Sequence, residues 1–285
     1  MNEWLLWTGW IAGIGVLTAL SWKWCLPTRA VGPIIALAAV GGGGAALLLR
    51  NAGGPSVLRA GGVVAAELLV YVGLILWRFY RDPERTPPDD PRAVVSPADG
   101  TVIYVRRLPA GSVLRCDKRG SQLVLDELNG SGLASQELWQ VGISMVFTDV
   151  HVNRAPIAGT VRLARHRPGR FLSLRVPEAV NVNERQTLLL DNGRFQVALA
   201  QIASRLVRRI VAYVREGDTV ERAQRIGMIK FGSQVDVFLP VEAVEGLNVR
   251  EGDVLVAGET IMARATVPAT TPTPVSTGIS ESARA

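Results

Sequence analysis

Three long apolar stretches occupy the first 80 residues, and they constrain the fold more than any other feature of the chain. They cover residues 4–20, 30–49 and 60–77, and each is about as long as a helix that crosses a bilayer. Glu67 is the only charged residue inside them. We therefore predict a membrane anchor over residues 1–80 with two or three transmembrane helices, the alternative for the third stretch being a buried helix of a soluble domain.

The basic residues that flank these stretches predict the orientation of the anchor. With three spans, one side carries Lys23 and Arg29 together with the arginines that follow the third stretch, and the other side carries Arg50 and Arg59. Positive charge accumulates on the cytoplasmic side of membrane proteins. We therefore expect everything after residue 77 to lie on the cytoplasmic face of the cell membrane.

The composition changes abruptly after the third stretch. Residues 78–92, RFYRDPERTPPDDPR, are charged and rich in proline, which is typical of a linker. From residue 93 onward, short runs of strand-forming residues alternate with Gly, Pro, Asp and Asn. This pattern predicts a mainly antiparallel β domain, β-sandwich-like or α+β, over residues 81–265. Residues 266–285, rich in Thr, Pro and Ser, predict a disordered tail.

A short repeat gives one hypothesis for this domain. Arg-Glu-Gly-Asp occurs at residues 215–218 and again at 250–253, each time before apolar residues. Turns of this kind resemble those of lipoyl and biotinyl carrier domains, and Lys230 stands about where such a domain carries its modified lysine. A membrane-anchored carrier domain modified at Lys230 is therefore one candidate, although Gly-Asp is also a common hairpin turn.

Few residues suit catalysis. The chain has two histidines and two cysteines and lacks the sequence patterns of zinc proteases, dithiol redox sites and phosphate-binding loops, so we predict no metal site and no disulfide framework. His151 follows a strand-like run and has polar neighbours, but a lone histidine is more often structural than catalytic.

The segment Phe231-Gly232-Ser233 interrupts strongly strand-forming sequence. A glycine in such a place often marks a bulge or a turn. The chemical alternative is a strained peptide bond whose carbonyl carbon is attacked by the Ser233 hydroxyl, with a histidine as the base. An N-to-O acyl shift followed by β-elimination would then cut the chain.

Five motifs between about residues 78 and 239 occur in an order that resembles the phosphatidylserine decarboxylase proenzymes, in particular the short, membrane-anchored class of bacteria and archaea. The motifs are FYRDPER, VSPADGTV, FTDVHVNRAPIAGTV, NVNERQTLLL and IKFGSQVDVFLP. The resemblance implies self-cleavage between Gly232 and Ser233. It further implies a β chain of residues 1–232 and an α chain of residues 233–285, with Ser233 converted into a pyruvoyl cofactor.

The same resemblance implies the catalytic residues. Asp99 of SPADG, His151 of DVHVNRAP and Ser233 match the self-cleavage triad of the family, in which Asp99 would orient His151 and His151 would take the Ser233 proton. The pyruvoyl group would then form a Schiff base with phosphatidylserine, and His151 would protonate the carbon that carbon dioxide leaves. Taken alone, Asp99 is equally well a turn residue.

The chain departs from the family pattern in three places. Longer members have a second histidine where this chain has Arg154. Short members often have YHPGKF where this chain has HRPGRF, so His166 stands at the tyrosine position and is given no catalytic role. Residues 108–137, which include Cys116, form a longer segment than the short class usually has and predict an inserted hairpin or loop.

Arginine is unevenly distributed. Residues 154–225 contain 14 arginines and 6 acidic residues, whereas the whole chain has a net charge of +6. This excess predicts attraction to phosphatidylserine and to an anionic membrane surface. The sequence does not indicate nucleic-acid binding, because aromatic residues are sparse and motifs of nucleic-acid-binding domains are absent from it. The sequence leaves formation of a homo-oligomer open.

Overall fold

The computed structural model describes residues 3–24, 26–118, 121–168, 184–203, 209–230 and 233–266. The side chains of residues 118, 121–123 and 233 are not part of this description. Phe231 and Gly232 lie outside the described residues, and so does all of the predicted tail except Thr266.

Three helices form the N-terminal part of the molecule, the larger of the two predicted numbers. They are α1 (Trp4–Lys23), α2 (Thr28–Leu49) and α3 (Ser56–Tyr80), and each is long and apolar enough to cross a membrane. Helices α2 and α3 each begin directly after a proline, whose fixed φ suits the start of a helix. The expectation that residues 78–80 belong to the linker was wrong, because α3 continues through Tyr80.

Every fourth residue along α3 is buried, which places these side chains in one row facing the other helices and the domain. Glu67 is fully buried in this row. Gly13 of α1 and Gly42 of α2 make room for it, since a Cβ atom at either position would overlap the Glu67 side chain. One turn later the Tyr71 hydroxyl lies 2.7 Å from the Ser21 hydroxyl. The row consists of Arg59, Val63, Glu67, Tyr71, Ile75 and Phe79.

In the domain that follows, the described residues form strands and short 3₁₀ turns. The strands are β1 (Ala93–Val95), β2 (Gly100–Leu108), β3 (Arg115–Lys118), β4 (Ser121–Val124), β5 (Leu138–Met145), β6 (Val152–Arg154), β7 (Gly159–Arg167), β8 (Arg185–Asp191), β9 (Gln196–Ala203), β10 (Arg209–Ala212), β11 (Thr219–Val220), β12 (Arg225–Lys230), β13 (Ser233–Pro240), β14 (Val244–Leu247), β15 (Val254–Leu255) and β16 (Ile261–Ala265).

These strands confirm a mainly antiparallel β domain. The largest sheet has the order β11-β7-β8-β9-β13-β5-β2-β15, and two three-stranded sheets have the orders β10-β12-β6 and β1-β16-β14. Each described pairing is antiparallel. Val235, Val237 and Leu239 of β13 point into the main core, because alternate residues of a strand face the same side of the sheet.

The predicted insert covers the opposite face of the large sheet. Its β3–β4 hairpin and two 3₁₀ turns, Asp126–Leu128 and Leu133–Ser135, enclose a second apolar cluster that contains Cys116 and Phe238. The described residues of this segment therefore contain paired strands and cover the sheet, while their being an insertion relative to the family stays a prediction.

The two Arg-Glu-Gly-Asp segments form turns with the same hydrogen bonds. In each turn the arginine N–H donates to the aspartate side chain, at 2.7 Å from Arg215 to Asp218 and at 2.8 Å from Arg250 to Asp253. The strands that follow, β11 and β15, are the two edges of the eight-stranded sheet. The repeat is thus structural, while its likeness to carrier-domain turns stays a prediction.

Candidate active site

The fold brings His151 next to the chain that leads to the predicted cleavage bond. His151 directly precedes β6, and its carbonyl oxygen accepts the N–H of Ile229 in β12 at 3.1 Å. Strand β12 ends at Lys230 in one sheet, and β13 begins at Ser233 in another. In the sequence, the predicted Gly232–Ser233 bond comes shortly after β12, the strand whose Ile229 bonds to the backbone of His151.

The hydrogen bonds of His151 define its tautomer. Its Nδ1 lies 2.9 Å from the carbonyl oxygen of Asp149. Because a carbonyl oxygen only accepts, Nδ1 must carry the proton, and the lone pair of the neutral ring is on Nε2. Nε2 is buried and has no hydrogen-bond partner among the described residues. An unpartnered buried nitrogen of this kind is suited to take a proton from a reacting group.

The surroundings of His151 keep the ring neutral. Its side chain is fully buried, and this burial lowers its pKa to about 4. The positive charge of Arg81 lowers the pKa further, while the hydrogen bond to Asp149 opposes the shift. At neutral pH the ring is therefore a base with a free lone pair, which is the state that proton abstraction needs.

One wall of the His151 pocket comes from the helical anchor. The ring of Phe79, in the last turn of α3, lies 4.1 Å from the imidazole ring between centroids, at an interplanar angle of 34°. Phe79 is fully buried in a small cluster with Val150, Val152 and Met228. The dry environment that lowers the histidine pKa thus depends partly on α3.

Asp99 lies between β1 and β2 and binds the backbone of the loop that carries His151. Its two carboxylate oxygens accept the N–H groups of Ala257 at 2.8 Å and Val150 at 3.4 Å, and Arg85 donates to both oxygens at 3.0 and 3.1 Å. Within the described residues, Asp99 makes no direct hydrogen bond to the His151 ring. The structure therefore connects the two residues through the backbone of Val150.

Several residues around His151 have contacts that their sequence positions did not reveal. Arg81 donates to the carbonyl oxygens of Arg78 and Thr148, both at 2.8 Å, and so ties the end of α3 to the His151 loop. Asp149 accepts the N–H of Val146 at 2.8 Å, and burial raises the pKa of its carboxyl group. The available signal was the motif FYRDPER, which contains Phe79, Arg81 and Arg85.

Other notable residues of the sequence have structural partners. Arg154 donates to the carbonyl oxygens of Pro83 and Ala223 at 2.9 and 3.0 Å, so it fastens the linker to the domain. His166 lies on β7 with its Nε2 2.8 Å from Glu184. Many arginines of residues 154–225 are likewise paired with acids, among them Arg154, Arg162, Arg167, Arg185 and Arg225.

Two cations near the end of α3, Lys230 and Arg78, differ from these arginines in their lack of an ion pair within the described residues. The Nζ of Lys230 lies 5.9 Å from the centre of the Tyr80 ring, and none of the ion pairs of the described residues includes Lys230. Arg78 likewise has no acidic partner within the described ranges, and its buried Nε lacks a hydrogen bond there. Lys230 and Arg78 thus bring positive charge to the place where α3 meets the domain, with Asp149 as the acid that interacts with Arg78 at longer range.

An antiparallel β domain joined to three helices that are long and apolar enough to cross a membrane defines a class, that of β-domain proteins associated with a membrane. Comparison with known proteins gives the family within that class. Residues 72–263 match the family model described as phosphatidylserine decarboxylase. That match covers most of the chain, and the chain belongs to the phosphatidylserine decarboxylase family.

Individual relatives agree with the family match. A phosphatidylserine decarboxylase proenzyme of Erythrobacter litoralis is 41% identical over 198 residues, which are 69% of this chain and 75% of the relative. The corresponding proenzyme of Novosphingobium aromaticivorans is 40% identical and covers 68% of this chain and 74% of its own. That of Trichlorobacter lovleyi is 40% identical over 216 residues, 75% of this chain and 87% of its own.

Proposed function

We propose that this chain cuts itself between Gly232 and Ser233 and then decarboxylates phosphatidylserine to phosphatidylethanolamine and carbon dioxide. Its family makes it a decarboxylase, that is, a carboxy-lyase. The observation that supports the proposed chemistry best is the buried, unpartnered Nε2 of His151 beside the passage from β12 to β13.

Self-cleavage requires one base. The Ser233 oxygen attacks the carbonyl carbon of Gly232, and His151 takes the hydroxyl proton at Nε2. His151 then passes this proton to the Ser233 nitrogen as the peptide C–N bond breaks and the ester forms. Loss of the α-proton of residue 233 then expels the new carboxylate of Gly232. Addition of water and loss of ammonia leave a pyruvoyl group at the start of the α chain.

The residues around His151 fit this cofactor. His151 is fully buried, the Nε2 of its neutral imidazole has no partner among the described residues, and Arg78 and Lys230 provide positive charge for an anionic substrate. The pyruvoyl carbonyl supplies an electron sink for the electron pair that remains when carbon dioxide leaves. Nε2 of His151 would take up a proton that the ammonium group of the substrate releases and would deliver it to the substrate carbon that carbon dioxide leaves. Phe79 and the residues packed around it exclude bulk water from this proton.

The position of α3 suits a lipid substrate. We assign Arg78 and Lys230 to the anionic headgroup, because both lie where α3 meets the domain and neither forms a direct ion pair with an acid of the described residues. A cytoplasmic location of the domain follows from the distribution of basic residues in the sequence. Replacing Lys230 by Gln should raise the KM for phosphatidylserine vesicles more than it lowers kcat.

Cleavage leaves the two chains bound to each other. Strand β13 would belong to the α chain, yet it pairs on one side with β5 and on the other with β9, both from the β chain. Strands β15 and β16 likewise pair with β2 and β1. The α chain thus lies within the sheets of the β chain, which preserves the site after the peptide bond is lost.

One experiment separates this function from a carrier domain modified at Lys230. The purified full chain is incubated with phosphatidylserine vesicles and cyanoborohydride, and its mass is measured under denaturing conditions. We expect two chains, with a lipid adduct on residues 233–285 and loss of decarboxylase activity. A single chain with a mass increment at Lys230 would instead support the carrier, in which case the decarboxylase proposal fails.

A further inference from the structure

A junction of seven residues, 79–85, connects α3 to the β domain and contacts both candidate catalytic residues of the β chain. Phe79 at its start stacks on His151, and Arg85 at its end pairs with Asp99. Both contacts are enclosed. Phe79 is fully buried, and the side chains of Arg85 and Asp99 are only 13% and 12% exposed.

Phe79 faces the imidazole at van der Waals distance, so water has no access to that face of the ring. Arg81 connects the two segments that carry Phe79 and His151. Its Nη1 donates both to the carbonyl of Arg78 in α3 and to the carbonyl of Thr148 in the His151 loop. A single guanidinium group therefore holds the end of the helix and the loop in one arrangement.

Arg85 completes the junction from the other side. It donates to both oxygens of Asp99, and these oxygens also accept the N–H groups of Val150 and Ala257. Val150 directly precedes His151, so the position of Asp99 affects the position of the histidine backbone. The Nη1 of Arg85 lies 3.6 Å from the Glu259 carboxylate, and this ion pair holds Arg85 in place.

We propose that Phe79 and Arg85 are positioning residues of the active site, so that the third helix of the anchor is a working part of the catalytic machinery as well as its attachment to the membrane. Phe79 holds the His151 ring in a dry orientation, and Arg85 holds Asp99 against the loop. The proposal rests on the proposed function, because it assigns His151 and Asp99 to self-cleavage and decarboxylation.

The charged groups on the elements around His151 determine how a pH measurement should be interpreted. The junction and the end of α3 carry Arg78, Arg81 and Arg85, the His151 loop carries Asp149, the β1–β2 loop carries Asp99, and the end of β12 carries Lys230. Replacing Phe79 removes none of these charges. A change in the pH profile of a Phe79 variant therefore reports the hydration of His151.

The first test uses the full chain with Phe79→Ala or Phe79→Leu, and Phe195→Ala as the matched control. Phe195 packs against the main core and is not among the residues that contact His151 or Asp99 in the described structure. For Phe79→Ala we expect self-cleavage slowed about 10-fold to 100-fold. We also expect the acidic limb of its pH profile to move from near pH 4 toward pH 6.5, because a hydrated imidazole regains its ordinary pKa. Phe79→Leu keeps an apolar cover and should retain the acidic limb of the wild type.

The second test does not depend on folding of Phe79→Ala. Arg85→Gln should slow self-cleavage, Arg85→Lys should restore part of the rate, and Arg92→Gln, which breaks an exposed ion pair with Glu245, should leave the rate unchanged. Rates and pH profiles of the Phe79 and Arg85 variants that match those of the two controls would overturn the proposal. Ser233→Ala is prepared in parallel. If that variant still yields two chains, the proposed function itself fails, whatever the junction variants do.

Discussion

The ring of Phe79 lies 4.1 Å from the imidazole of His151, so the last turn of an apolar helix forms one wall of the candidate active site. Lipid headgroups occupy the depth at which a membrane-spanning helix emerges from the bilayer. We therefore expect a site built against that turn to lie at the level of the group to be decarboxylated. This arrangement explains why the side chain that covers His151, Phe79, belongs to the anchor helix α3.

The stability of the protein should depend on pH through His151. Its pKa is lowered to about 4, so between pH 6.5 and 4 the unfolded chain binds a proton that the folded chain does not. The free energy of unfolding should therefore fall by about 2–3 kcal/mol as the pH is lowered through this window. Urea titrations at several pH values measure it.

The comparison for this prediction is His151→Leu, with Ser233→Ala present in both proteins so that both remain uncleaved. The leucine variant should lack this part of the pH dependence. Asp149, whose raised pKa has the opposite effect, is present in both proteins and cancels in the difference. Equal slopes in the two proteins would mean that His151 titrates normally.

Asp99→Asn should slow self-cleavage about 100-fold and lower the free energy of unfolding by about 2–3 kcal/mol. The amide cannot pair with the largely buried guanidinium of Arg85, and it presents a donor where the carboxylate accepts from a backbone N–H. Gel analysis over time gives the rate, and denaturant titration gives the stability. The control is Glu245→Gln, which removes an exposed pair with Arg92 and should change neither.

Tyr104→Phe should destabilise the association of the two chains. The Tyr104 hydroxyl donates to Asp236 at 2.5 Å and accepts from Gln234 at 3.0 Å, and Gln140 donates to the same carboxylate at 2.7 Å. Tyr104 and Gln140 belong to the proposed β chain, whereas Gln234 and Asp236 belong to the α chain. Loss of the hydroxyl leaves buried groups unpaired and should cost about 1–3 kcal/mol.

Thermal denaturation of the mature enzyme checks this expectation. Tyr213→Phe is the matched control, because Tyr213 is 47% exposed and its replacement should shift the stability by less than about 0.5 kcal/mol. Equal melting temperatures for the two variants would show that the buried network does not hold the chains together.

The sequence was sufficient for the large features of the fold. The three apolar stretches became α1, α2 and α3, because a run of some 20 apolar residues has few alternatives to a helix. The predicted anchor boundary at residue 80 coincides with the end of α3, but residues 78–80 were also assigned to the linker because charged residues begin at Arg78. The helix in fact ends at Tyr80, shortly before Pro83, because a proline disfavours helical backbone at the residue that precedes it.

Part of the candidate site was also within reach of the sequence. His151 and the FGS segment were singled out from local pattern and from family resemblance, and β12 and β6 do bring the chain beside them together. Phe79 and Arg85 were missed because their roles depend on contacts across 72 and 14 residues of chain. Local pattern carries no information about which distant ring covers a histidine.

Gly42→Ala should destabilise the helical anchor, whereas Gly44→Ala on the same helix should not. A Cβ atom at Gly42 would overlap the Cγ of the buried Glu67, and no heavy atom lies within 4 Å of the corresponding position at Gly44. Overpacking of this kind costs about 1–3 kcal/mol. Denaturation in mixed micelles compares the two variants, and equal stabilities would argue against close packing of α2 on Glu67.

The central claim is that Ser233 becomes the start of a second chain, and intact mass under denaturing conditions tests it most directly. The wild-type protein should give two chains, residues 1–232 and 233–285, with a blocked N-terminus on the shorter one. Ser233→Ala should give one chain near 30.6 kDa. A single chain from the wild type, or two chains from Ser233→Ala, would contradict the account.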